Sequence, residues 1–209
     1  MRPPERSAER DAAIEALLPN VPFEGWTGRA LRQALVAAGG DPEDAPLLFP
    51  GAAPDMIEAY CDVADRRMEE EAARLEVSAM RVPARVRAVV ALRLRQNRAH
   101  KEAVRRALGV LALPGNARVG AACTARTVDA IWHAVGDRAT DFSWYTKRAT
   151  LAGVYSATVL FWVRDASEED AATLAFLDRR LAGVGRIGRA RRRFEDVAAR
   201  FRPAAWRRA

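Results

Sequence analysis

The sequence predicts an all-α protein of about nine to ten helices, and three observations carry that expectation. Apolar residues recur at three- and four-residue spacing along most of the 209 residues, alternating β-branched runs are nearly absent, and Pro, Gly and capping residues fall between the periodic stretches. Half of the residues are hydrophobic and 29% are charged, enough apolar content for a sizeable core and too much for intrinsic disorder.

The elements follow in order. Ser7 caps a first helix that carries Ala8, Ala12, Ile14 and Leu17 and stops at Pro19. Thr27 caps a second, with Leu31, Ala34, Leu35 and Ala38 at helical spacing and Gly39-Gly40 as its stop. Residues 41–50 read as a short acidic turn segment with one helical turn over 45–49. Pro54, a favoured first-turn residue, opens a longer helix to about residue 75, with Ile57, Tyr60, Cys61, Ala64 and Met68 as its buried stripe. Pro83 opens the next, with Val86, Val89, Val90 and Leu94 facing inward. A helix over 100–111 is closed by Pro114-Gly115-Asn116, and helices over 117–135, 142–163 and 167–184 follow. Gly183, Gly185 and Gly188 loosen the junction with a last helix over 187–201. These divide into a helix-turn-helix-like unit (1–52), a bundle (53–185) and a basic amphipathic helix (186–209).

Several function classes lose support at once. The longest apolar candidate for a membrane span, residues 149–163, falls short of the roughly 18 residues required. Cys61 and Cys123 make neither a disulfide framework nor a C-x-x-C chelate, which fits a reducing compartment. His100 and His133 sit in no metal-binding pattern, and phosphate-cradling glycine motifs are missing. Asp129 and His133 could hydrogen-bond as an i,i+4 pair, a structural arrangement rather than a catalytic one. No enzyme chemistry, metal or cofactor is expected. Residues 1–18 mix four carboxylates with arginines and have no apolar stretch of signal-peptide type, so a cytoplasmic protein with peripheral membrane contact is expected.

The net charge of +7 conceals a polarised chain. Residues 1–76 carry 8 basic and 16 acidic side chains, whereas residues 179–209 carry 11 basic and 2 acidic. A duplex reader needs cations on the third element of a helix-turn-helix. Residues 41–50 offer three carboxylates, three prolines and no base, which disfavours DNA binding by that unit.

Residues 141–158, DFSWYTKRATLAGVYSAT, are the most informative stretch. On a helical wheel Trp144, Arg148, Leu151, Tyr155, Val159 and Trp162 share one face, while Ala149, Gly153 and Ala157 line the opposite one. Gly120-Ala121-Ala122 offers a partner for close approach to that small face. Spacing alone leaves two readings of the large face open. It is plain core, or it is an apolar lipid pocket in which Arg148 meets a headgroup at the mouth. The last helix gathers Ile187, Ala190, Phe194, Val197, Ala198 and Phe201 into one arc. Arg189, Arg192, Arg193 and Arg200 lie opposite, with Arg191 and Arg202 flanking. That pattern suits an anionic membrane interface, with docking on its own bundle as the alternative.

The W-Y-T-K-R-A and L-A-G-V-Y-S-A-T runs, with Thr173-Leu174-Ala175-Phe176-Leu177-Asp178-Arg179-Arg180 after them, resemble the ubiquinone-biosynthesis accessory family known as the ninth Coq proteins. The resemblance extends over most of the chain from Ile14 onward; Ser143 stands where the family motif has Asn. It implies a TetR-like helical bundle with a degenerate helix-turn-helix that does not bind DNA. It further implies a homodimer that holds isoprenoid or phospholipid in an apolar pocket and presents demethoxyubiquinone to its di-iron hydroxylase. On this chain the implied lipid contacts are Arg148, Leu151, Tyr155 and Trp162, and the implied enzyme-docking pair is Trp144 and Tyr145. The implied membrane contacts are Ile187, Arg191, Arg192, Arg193, Phe194, Val197 and Phe201. The lack of a transit peptide departs from mitochondrial relatives and suggests work at a bacterial inner membrane. A ligand-responsive TetR-type transcriptional regulator is the competing reading.

Overall fold

The computed structural model describes residues 5–75, 80–136 and 143–184. Its helices are α1 (Ala8–Leu17), α2 (Val21–Glu24), α3 (Gly28–Ala37), α4 (Ala45–Leu48), α5 (Ala52–Ala72), α6 (Val82–Gln96), α7 (Lys101–Leu111), α8 (Ala117–Val135), α9 (Ser143–Trp162) and α10 (171–184). Single 3-10 turns precede α4, α7, α8 and α10, and the described residues contain no strand. The all-α expectation holds.

The caps act as read. The Ser7 hydroxyl accepts from the Arg10 amide and the Thr27 hydroxyl from the Ala30 amide, each filling an orphan donor of a first turn. Pro83 stands in the first turn of α6, and Gly136 ends α8 in the left-handed region, φ 80°, where a side chain would be strained. Three details differ from the sequence reading. Residues 21–24 form the extra turn α2, with Pro22 in its first turn. Ala38 is an exposed C-cap rather than a face residue of α3. Helix α5 starts two residues before Pro54 and ends at Ala72.

Two hydrophobic cores share α5 as their spine. The N-terminal core joins Ile14, Leu17, Val21, Trp26, Leu31, Phe49 and Ile57 to Ala103 and Ala107 of α7. The second joins Met68, Val86, Val89, Val90, Ile131, Trp132, Leu151, Trp162 and Leu177. Each such aliphatic side chain, fully buried, contributes about 1.5–3 kcal/mol against the cost of ordering it. Helices α5 and α8 pack against each other, and α8 also packs on α6 and α9. No helix among the described residues is long and apolar enough to cross a membrane. The whole of the last helix expected over 187–201, with Ile187, Arg191, Arg192, Arg193, Phe194, Val197 and Phe201, lies outside the described residues.

Candidate ligand-binding site

A cavity of about 190 Å³ opens where the two cores meet. Helix α5 contributes Ile57, Tyr60 and Cys61, α6 contributes Arg93 and Leu94, and α7 contributes Val104, Ala107, Leu108 and Leu111. Gly120, Cys123, Thr124 and Thr127 of α8 and Tyr155, Ser156, Val159, Leu160 and Trp162 of α9 complete the wall. Gly120 of α8 faces α7: a Cβ on it would stand 3.4 Å from the Leu111 Cβ. Leu160 is 56% exposed and marks the rim.

Most polar atoms of the wall are already bonded. Tyr60 donates to the Asn97 side-chain oxygen, Asn97 donates to the Arg93 carbonyl at 2.7 Å, and Thr124 to the Gly120 carbonyl at 2.9 Å. Thr127 donates to Asp65 at 3.0 Å, and Asp65 in turn faces Arg93 at 3.0 Å. Burial pushes Asp65 up to about 6 although Arg93 opposes it, and burial likewise raises Tyr155. The Cys61 thiol of α5 and the Cys123 thiol of α8 influence each other, which raises Cys61 and lowers Cys123, and Arg126 Nη2 donates to the Cys123 sulfur at 3.5 Å. Both are free thiols. Arg93 retains two unpartnered nitrogens, Nε and Nη1.

The structure divides the residues that the helical wheel groups. Tyr155 and Trp162 line the cavity, and Lys101 Nζ sits 5.0 Å over the Trp162 ring. Leu151 instead lines a separate apolar recess of about 280 Å³ with Val86, Trp132, Val154 and Leu181. Arg148 reaches neither: it pairs with Asp129 and stacks 3.8 Å over the Trp144 ring. Asp129 is therefore committed to Arg148, and the Asp129–His133 pair does not form; His133 Nδ1 lies 2.9 Å from Glu69 instead. Trp144 and Tyr145 form an edge-on aromatic pair with ring centres 4.7 Å apart, and Tyr145 is 68% exposed.

The small face of α9 also has another neighbour than expected. Gly120 turns to Leu111, whereas Ala149, Gly153 and Ala157 border a groove of about 650 Å³ beside Phe176, Arg179, Arg180 and Gly183 of α10. A Cβ on Gly153 would meet nothing within 4 Å. The α8 contact uses the larger side chains of α9, so the small residues are left to the other side. Sequence reasoning misses Arg93, yet this residue falls on the 86, 89, 90, 94 stripe, and a charge on such a stripe is the available signal.

The fold and this cavity define a TetR-like all-α bundle. A solved TetR transcriptional regulator from Nitrosomonas europaea superposes with a TM-score of 0.68 at 23% identity, covering 84% of this chain and 97% of that one. The COQ9 family model matches residues 117–188. Ubiquinone biosynthesis protein COQ9, mitochondrial, of Rattus norvegicus is 31% identical over 182 residues, covering 84% of this chain and 58% of the relative. The Homo sapiens protein of the same name is 31% identical with 84% and 57% covered, and coq9 of Schizosaccharomyces pombe is 29% identical with 84% and 69% covered. The chain is similar to the COQ9 proteins over most of its own length. It spans a little over half the length of the two mammalian relatives.

Proposed function

We propose that the protein is a non-enzymatic, lipid-binding accessory factor of ubiquinone biosynthesis, which holds a hydrophobic quinone intermediate and presents it to the demethoxyubiquinone hydroxylase at a membrane surface. The observation that carries this reading is the apolar cavity at the meeting of the two cores, lined by the Tyr155 and Trp162 end of the α9 motif. The names of the relatives supply the pathway. The Trp144–Tyr145 pair, with Tyr145 exposed, supports an enzyme-docking surface, since aromatics are frequent interface anchors. An engineered cavity of about 150 Å³ admits benzene. The cavity here therefore suits one substituted ring or a short segment of chain, and the rest of a polyprenyl tail would lie outside it. The basic residues after Gly185 would hold the protein peripherally at anionic lipid, and a homodimer is part of the same proposal.

Native mass spectrometry and solvent extraction after detergent-free purification test the reading: a co-purifying isoprenoid or phospholipid is expected, and a lipid-free protein would count against it. Truncation after Gly185 is expected to reduce flotation with anionic liposomes; unchanged flotation would remove the membrane assignment. A ligand-responsive transcriptional regulator is the second reading, favoured by the TetR likeness. The segment in the recognition position, α4 with its preceding turn, presents carboxylates and no base. A salt-dependent shift of DNA at nanomolar protein would revive the regulator reading.

A further inference from the structure

The two cysteines of the chain are both free and both line the same cavity, one on each of two packed helices. Contacts on either side fix how they face each other. Thr127 of α8 donates to Asp65 of α5 at 3.0 Å, across 62 positions, and further along both helices His133 Nδ1 lies 2.9 Å from Glu69. The helices therefore run in the same direction here. One turn before Asp65 and Thr127, at the same separation of 62 positions, stand Cys61 and Cys123. Arg126 Nη2 bonds Glu58 at 2.6 Å and the Cys123 Sγ at 3.5 Å, which places Cys123 beside the turn of α5 that carries Glu58 and Cys61. Cys123 is buried and Cys61 half-buried. The cavity, about 190 Å³, is the path to both, and a molecule the size of water needs only about 10–15 Å³.

We propose that Cys61 and Cys123 are a reversible redox pair, which hydrogen peroxide entering the cavity joins as a disulfide between α5 and α8. This does not rest on the lipid-pocket reading. Cys123 is the attacking thiol. Cys61 beside it, and then the Arg126 guanidinium, hold it below its ordinary value against the effect of burial, whereas Cys61 is raised. The Cys123 thiolate attacks one peroxide oxygen, the O–O bond breaks, and the departing hydroxide takes a proton to leave as water. Cys61 sulfur then attacks the sulfenic sulfur, and its proton goes to the hydroxyl, which leaves as a second water. Two thiols are thus oxidised and one peroxide is reduced to two waters. A small thiol reductant restores the pair by exchange. Disulfides of reducing compartments are characteristically transient and redox-sensing, which suits a pair that rests as free thiols. Once formed, the bond fastens α5 to α8 along the cavity wall and stops these helices from parting there.

The test treats the reduced full chain with hydrogen peroxide, blocks remaining thiols with N-ethylmaleimide, and reads the intact mass and the tryptic peptides. The wild type is expected to lose two hydrogens, to take up no maleimide, and to yield residues 33–66 linked to residues 119–126, all reversed by dithiothreitol. Linkage is expected to form about tenfold faster in the folded chain than in urea, because the fold holds the thiols together. The oxidised chain should have a higher urea midpoint and slower amide exchange around both cysteines. Cys61→Ser is expected to stop at a sulfenic acid on Cys123 that dimedone traps, and Cys123→Ser to react about tenfold more slowly. Should Cys61→Ser not fold, Cys61→Ala serves the same purpose. Two thiols still open to maleimide, a link between two chains, or a rate no faster folded than in urea would each overturn the proposal. So would a lowered urea midpoint after oxidation, since the bond would then form only by distorting α5 against α8.

Discussion

Arg10 holds the N-terminal core together through a charge. It is buried, its Nη2 lies 2.6 Å from Asp55, it donates to the Leu48 carbonyl, and its guanidinium carbon sits 4.4 Å over the Phe49 ring. One side chain thus ties α1 to α4 and to the start of α5. Arg10→Ala is expected to destabilise the protein by about 3–5 kcal/mol, the usual effect of removing one partner of a buried pair, read as a lower urea midpoint. Tyr145→Ala should behave oppositely: its exposed ring leaves stability within about 0.5 kcal/mol, and under the proposed docking role capture of the demethoxyubiquinone hydroxylase is expected to fall. Equal capture by the variant would remove Tyr145 from the docking surface. Arg10 and Arg93 also show what is legible at this scale. Each interrupts an apolar helical stripe, so its burial can be read from spacing. Its partner cannot, because Asp55 is 45 positions from Arg10 and is brought there by the path of the chain through α2 to α4.

At the scale of elements, local chemistry makes most boundaries legible, and contacts between helices make the rest illegible. Ser7, Thr27 and Pro83 act within one turn of themselves, and the structure places each where its side-chain chemistry puts it. The extra turn α2 has four residues and too little periodicity to announce itself. The wheel of α9 separates large from small side chains but does not say which neighbour takes which face, so Gly120 packs on α7 and not on the small face expected for it. The start of α10 is the sharpest local device. Asp165 accepts from the Ser167 and Thr173 amides at 2.8 Å and from the Thr173 hydroxyl at 2.6 Å, while Asp170, at φ 58°, is held by Arg98 at 2.9 Å and Lys101 at 2.6 Å. Asp165→Ala is expected to cost about 0.5–2 kcal/mol and to speed amide exchange over residues 171–184 before that of α5 or α8. Uniform acceleration across the chain would show instead that α10 unfolds with the cores.

Over the whole molecule, the acidic half and the arginines are joined by carboxylates whose ionisation the fold either favours or opposes, and the two kinds respond to pH in opposite directions. Burial would raise Asp62, Asp165 and Asp170, but hydrogen bonds overcome it and each ends below the usual carboxylate value: from Arg6 and Arg66 for Asp62, from Ser167 and Thr173 for Asp165, and from Lys101 and Arg98 for Asp170. A lowered carboxylate stabilises the fold fully above its unfolded pKa of about 3.9, and that contribution is lost as pH falls through the folded value. Asp65 is raised to about 6, so acidification from 6 to about 3.9 relieves the cost of keeping it charged. His100 is lowered, by burial and then by Arg67, and costs stability as pH falls below its unfolded value near 6.5. Asp65 and His100 therefore act in opposite directions between about pH 6.5 and 4, and the sign of the change in urea midpoint there reads which of the two dominates. Below about pH 4 the three lowered carboxylates act together and the midpoint should fall steeply. Asp62→Asn is expected to lower stability at about pH 7 and to flatten that acid limb, because its contribution is then absent at every pH; an acid limb of unchanged slope would show that Arg6 and Arg66 add nothing through Asp62.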